Sequence, residues 1–139
     1  MATNLDLTHA MRGKIMAALK ADTALAAIVG GRIYPQAVPA KLVFPFVKLG
    51  AAIATPLFID GNDGTQYSAA VHCFTKKGAD PEVEAMTINS EIVRILNATE
   101  VSVIGDSLTM DVTTRQAQVM QDGDADAFHG FVTFDANAS

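Results

Sequence analysis

DPEVEAMTINSEIVRILN, residues 80–97, decides how the rest of the chain must be arranged. Asp80 can cap a helix, Pro81 suits the first helical position, and Glu82 and Glu84 set negative charge at the positive end of the helix dipole. Ala85, Ile88, Ile92, Ile95 and Leu96 recur along one stripe, and Val83, Met86 and Val93 widen that stripe well round the circumference. A sheet covers one stripe of a helix, so the width predicts a further contact for Val83, Met86 and Val93.

Strands are expected on both sides of this helix. Upstream, residues 66–74 read as a strand, and Gly61-Asn62-Asp63-Gly64 reads as a turn joining it to an antiparallel neighbour. Downstream, Leu108, Met110 and Val112 alternate with Thr109, Asp111 and Thr113. Phe128, Gly130, Val132 and Phe134 alternate with His129, Phe131 and Thr133. Asp122-Gly123-Asp124-Ala125-Asp126 lies between these two strands, which predicts a long hairpin, and residues 136–139 read as a frayed tail.

The N-terminal third reads as two helices followed by short strands. Leu7, Met11, Ile15, Ala18 and Leu19 form a stripe over a helix at 8–21. Asp22 caps a second helix at 23–29, which Gly30-Gly31 ends. Residues 32–34 read as a short strand, Pro35 and Pro39 bracket a loop, and a strand starts at Phe46. The order predicts an α+β fold, one domain over residues 1–139, with an antiparallel or mixed sheet of four to five strands and helices on one face.

Bulk properties narrow the function classes. The chain has 139 residues, one cysteine, 50% hydrophobic residues and a net charge of −5. Cys73 alone cannot form an internal disulfide, so folding needs no oxidising compartment. No signal-peptide pattern and no apolar run near membrane length is present, so the expectation is synthesis in the cytosol. A mean hydropathy of +0.25 is high for so small a domain and predicts apolar surface that meets a partner. The acidic balance argues against gripping nucleic acid, which rests on Lys and Arg at phosphates. Residues 1–77 carry eight Lys or Arg and four Asp or Glu, while residues 78–139 carry two and eleven. Set on different faces, such segments could meet head to tail in a ring; the plainer reading is two solvated surfaces.

Motifs that suggest chemistry fail in context. Gly105-Asp106-Ser107-Leu108 resembles the nucleophile block of GDSL-type serine hydrolases, with His129 as the base and Asp126 orienting it. In those enzymes the serine comes early, on a turn into a helix, whereas Ser107 comes late and runs into a strand. Asp122, Asp124 and Asp126 have the alternation of a calcium loop, but Ala127 stands where glycine is needed and Thr133 where a bidentate Glu is needed. His72 and Cys73 are strand neighbours pointing to opposite faces, so they cannot readily share a metal, and Cys73 reads as core. His9 and His129 are isolated in sequence. Lys76-Lys77 is too short for a nucleic-acid patch. No catalytic, cofactor or metal residue is assigned.

The order of three strings resembles the tail terminator or tail completion proteins of long-tailed bacteriophages and gene transfer agents. They are Leu25-Ala26-Ala27-Ile28-Val29-Gly30-Gly31-Arg32-Ile33-Tyr34-Pro35 followed by Val38-Pro39 and Phe44-Pro45-Phe46-Val47; Val71-His72-Cys73-Phe74-Thr75-Lys76-Lys77-Gly78; and His129-Gly130-Phe131-Val132-Thr133-Phe134. The resemblance implies a virion subunit that forms a homo-oligomeric ring, of six copies, on the head-proximal end of the tail tube. The ring would stop tube growth and meet the head-to-tail connector protein, with DNA passing through its lumen unbound. Candidate contacts with other subunits or partners are Arg32 and Tyr34 in the best-matched string and Val83, Met86 and Val93 on the wide helix. The turn residues Asp60, Asn62, Asp63, Asp122, Asp124 and Asp126 complete the set. The acidic turn departs from the family habit of basic residues there.

Overall fold

A computed structural model describes residues 7–59, 62–104, 108–123 and 126–138. The helices are α1 (Thr8–Ala21), α2 (Thr23–Val29) and α3 (Pro81–Asn97). The strands are β1 (Ile33–Tyr34), β2 (Phe46–Leu49), β3 (Ile53–Ile59), β4 (Asn62–Lys76), β5 (Glu100–Ile104), β6 (Leu108–Gln121) and β7 (Ala127–Ala138).

The fold is α+β with one mixed sheet, as expected, and among the described residues that sheet has seven strands where the sequence signalled four to five. Their order is β1-β2-β4-β7-β6-β5, with β3 on the same edge of β4 as β2. Only β1 with β2 is parallel among the described pairs. The long strands β4, β6 and β7 form the middle, paired from Thr65↔Ala138 to Lys76↔Ala127 and from Met110↔Ala138 to Gln121↔Phe128.

Two boundaries differ from the sequence reading. β4 starts at Asn62, so Asn62, Asp63 and Gly64 are strand residues opposite Ile59, Phe58 and Leu57. They pair with β3 beyond the last partner of β4 on β7, so the β3–β4 hairpin projects about 10 Å past the end of β7. At the C-terminus, residues 136–138 are no frayed tail: Ala136 and Ala138 are fully buried within β7, opposite Tyr67 and Thr65. Small side chains fit there because Tyr67 fills the adjoining space, stacked on Phe134 at 6.0 Å.

Helix ends follow the expected chemistry. Asp22 accepts a hydrogen bond from the Leu25 amide at 2.9 Å, and Asp80 accepts one from the Val83 amide at 3.1 Å, each satisfying an orphan donor of the first turn. Gly30 closes α2 at φ 62°, a conformation costly for any residue with a Cβ, and its amide donates to the Ala26 carbonyl at 2.7 Å. Arg94 of α3 reaches both Asp22 carboxylate oxygens at 2.8 Å, tying the start of α2 to α3. The Leu25 amide and then Arg94 hold the Asp22 carboxyl below its ordinary range.

All three helices pack on one side of the sheet. Met11, Ile15 and Leu19 of α1, Leu25 and Val29 of α2, and Ala85, Ile88, Ile92 and Leu96 of α3 are fully buried. They meet one row of each central strand: Tyr67, Val71 and Cys73 of β4, Val132, Phe134 and Ala136 of β7, and Met110 of β6. Gly130 permits the close approach, since a Cβ there would sit 2.7 Å from Cys73 Sγ and 2.8 Å from Asn89 Oδ1. No helix is long and apolar enough to cross a membrane among the described residues.

Candidate functional site

Among the described residues the opposite side of the sheet carries no helix. Period-two alternation sends the remaining row of each strand there. Lys48 pairs with His72, Phe46 with Phe74, Phe74 with His129, and His72 with Phe131. These pairs assemble one aromatic surface across β1, β2, β4 and β7. Tyr34 and Phe44 contact Phe46 at 6.0 and 5.3 Å, Phe46 stacks on Phe74 at 4.9 Å, and Phe74 stacks on His129 at 4.5 Å. Phe131 closes the surface 5.9 Å from His129. All are partly exposed apart from Phe46, which is buried.

At its centre His72 Nδ1 and His129 Nε2 lie 2.8 Å apart. One nitrogen must donate and the other accept, so the facing pair holds a single proton. Burial, then the neighbouring His129 and Lys48, push the His72 pKa below its ordinary value. Burial also lowers that of His129; Asp122 opposes the shift and Lys48 adds to it. A pair of neutral imidazoles among phenyl rings offers flat, weakly hydrated area. That composition serves contact with another macromolecule better than proton transfer, and the one serine of the same row on β4, Ser68, is bonded to Asp135 at 2.6 Å, away from the imidazole pair.

Cys73 is on the other side, as the strand alternation predicted. Its thiol lies 3.7 Å from the Ala85 carbonyl and 3.6 Å from Asn89 Oδ1, and burial pushes its pKa up to about 12. A protonated buried thiol is neither nucleophile nor metal ligand. Among the described residues no group of three or more His, Cys, Asp or Glu could hold a metal ion.

The contact candidates disperse. Tyr34 lies on the aromatic surface. Arg32 serves the fold: its Nε donates to the Pro45 carbonyl at 2.8 Å and its carbonyl accepts from the Val47 amide at 2.9 Å, fixing the segment with the cis Phe44–Pro45 bond beside β1. Val83 and Met86 stand out from α3 at 51% and 48% exposure, whereas Val93 packs partly against the core. A groove of ≈ 440 Å³ between α3 and β6 is lined by Met86, Asn89, Val93, Ala117 and Val119. Another, of ≈ 380 Å³ on the far side of the ridge, is lined by Ile28, Ala79, Val83 and Thr87. Asn62 and Asp63 are in the projecting hairpin. Asp122 and Asp126 flank the β6–β7 turn, where the Asp122 amide donates to the Ala127 carbonyl and the Asp126 carbonyl accepts from Lys77. Asp60, Asp124 and Ser107 lie outside the described residues.

Among the described residues, the flank of the serine motif and His129 lie far apart. Leu108, next to Ser107 in the chain, is at the start of β6, whereas His129 pairs with Met120 near its end. Twelve strand residues separate those positions, more than about 30 Å. His129, isolated in sequence, is hydrogen-bonded in space to His72, 57 residues away.

Two edge segments of the sheet, on β3 and β6, are blunted. Pro56 in β3 has no amide proton. Along β6 beyond its pairing with β5, Asn97 Oδ1 accepts from the Thr114 amide at 3.1 Å, and Asn89 Nδ2 donates to the Gln118 carbonyl at 3.0 Å. A bulge at Arg115 interrupts the same strand, with its guanidinium 2.9 Å from Asp135. Such features oppose strand addition along β3 and along β6 beyond β5.

Comparison with known proteins accords with this picture. A chain in the virion of a native gene transfer agent particle superposes with a TM-score of 0.81 at 18% identity, over 95% of this chain and 96% of that one. The gp17 protein of bacteriophage SPP1 gives 0.62 at 17% identity, over 93% and 88%. A search of curated proteins finds no match. Residues 13–138 match the family model described as "Tail completion protein gp17", which runs from within α1 to the end of β7. The chain belongs to the tail completion protein gp17 family.

Proposed function

We propose that this chain is a structural protein of a phage-type particle: a ring, of six copies, on the head-proximal end of a tail tube that ends tube polymerisation and joins the tail to the head-to-tail connector. The observation that carries the reading is the family match over residues 13–138. The likeness to a chain of a gene transfer agent virion, nearly complete over both chains, supports a place in such a particle. Physical support comes from apolar surface that the subunit leaves uncovered on two sides. A net charge of −5 suits a lumen through which DNA slides without being held.

The test is to add the purified chain to polymerising tail-tube subunits from the same particle. The expected result is shorter tubes, each with added density at one end only. Unchanged tube lengths and bare ends would refute termination, and binding to the connector alone would replace it with a neck role.

A further inference from the structure

Resting on the ring reading, we infer that the aromatic face of one subunit's sheet is covered by the α3 ridge of the next copy, with Val83 and Met86 seated over the His72–His129 pair and its phenyl neighbours. Where they carry His72, Phe74, His129 and Phe131, β4 and β7 read as covered on two sides, whereas further along, the same rows turn polar with Gln66, Ser68, Asp135 and Asn137. Val71, Cys73 and Thr75 of β4 face the helices while His72 and Phe74 face outward, and β7 places His129 and Phe131 outward opposite Gly130 and Val132. A half-solvated antiparallel sheet carries polar residues on its wet side, so this aromatic row marks a face meant for cover.

Charge selects the occupant. Lys48 stands beside the imidazole pair and forms no ion pair among the described residues. Val83 sits between Glu82 and Glu84, which likewise form none, close to Asp80. An acidic, apolar ridge thus complements a face centred on a cation, while two open faces or two ridges would bring like charges together. Asp122, whose charge is felt by His129, and Lys77, beside Val83 in its groove, temper this match without reversing it. The ridge points away from the sheet and the aromatic face lies on the sheet's other side, so the contact joins different patches of identical subunits. Repetition of such a contact closes into a ring when each step includes a turn.

The experiment uses the full chain on tail tubes, with end occupancy counted by microscopy at one fixed concentration. Lys48→Glu, and separately Glu82→Lys with Glu84→Lys, are each expected to lower occupancy about tenfold, and the three changes together to restore it. Native circular dichroism is required of each variant. In parallel, Met86→Cys carrying a benzophenone is expected to cross-link to residues 44–48, 72–74 or 129–131 of another copy; Cys73 is buried and stays unlabelled. Full occupancy with Lys48→Glu, no restoration in the combined variant, or cross-links from ridge to ridge would overturn the inference and leave the ring standing. A wild-type chain that never occupies tube ends would overturn both.

Discussion

The two faces of this sheet are built from the same strands yet answer to different requirements. On the helix side, Val71, Cys73, Val132 and Phe134 are sealed beneath Ile88, Ile92 and Leu96, and their packing holds the subunit together. On the open side, His72, Phe74, His129 and Phe131 touch mainly one another. One face stabilises the subunit as it stands; the other reserves apolar area for a surface outside it. Alternate residues of β4 and β7 therefore ought to respond differently to truncation.

The sharpest way to break that contrast is a pair of substitutions measured in the isolated subunit. Ile92→Ala opens a cavity in a fully buried site and is expected to cost about 2–5 kcal/mol in urea unfolding. Phe131→Ala, although it removes a larger side chain, forfeits ring contacts on a partly exposed face and should cost about 1 kcal/mol. The order should reverse for occupancy of tube ends, where Phe131→Ala does the greater harm. Equal destabilisation by the two changes would mean that the open face already acts as core.

Gly130→Ala tests the same contrast at a single backbone position. Its new methyl would meet Cys73 Sγ at 2.7 Å and Asn89 Oδ1 at 2.8 Å, so α3 must lift or the strand must shift, at about 1–3 kcal/mol. Displacement of α3 also uncovers the thiol. In the native wild-type chain Cys73, with its pKa pushed up to about 12, should resist a thiol reagent at neutral pH until the protein unfolds. In Gly130→Ala labelling should come measurably earlier in a urea series. Rapid labelling of the wild type would show that α3 does not seal this face.

Much of the covered side was legible in the sequence, because helix capping and period-two alternation are local. Asp22, Gly30 and Asp80 mark the limits of α2 and α3 directly, and the stripe of α3 names Ala85, Ile88, Ile92, Ile95 and Leu96, all buried. β5 escaped notice: Glu100-Val101-Ser102-Val103-Ile104 does alternate with β-branched residues, but it follows the α3 stop too closely to be set apart by a turn signal. Ala136 and Ala138 looked like tail residues, since an alanine gives no hint that Tyr67 fills the space beside it. The imidazole pair depends on the β4–β7 register, which joins positions 57 residues apart, so no local pattern could announce it. What the strands did offer was aromatic residues in both rows, a sign of cover on both faces.

The smallest expected effect concerns that pair. Both histidines have pKa values lowered from 6.5 in the folded subunit, first by burial. Above that pH they are neutral whether the chain is folded or not, and their contribution is constant. As pH falls through 6.5 the unfolded chain binds protons first, so the folded state loses stability until its own imidazoles titrate. Lys48 on β2 strengthens the trend for both rings, and Asp122 at the turn weakens it for His129, so His72 should dominate. Urea midpoints measured from about pH 8 to about pH 5 should therefore fall more for the wild type than for His72→Gln, whose amide cannot charge. Tube-end occupancy should fall over the same interval, and more steeply, if another copy covers the pair, because a second proton would then have to enter a contact that excludes water. Parallel midpoint curves for wild type and His72→Gln would remove the imidazoles from the account and leave the phenyl rings and Lys48 to define the open face.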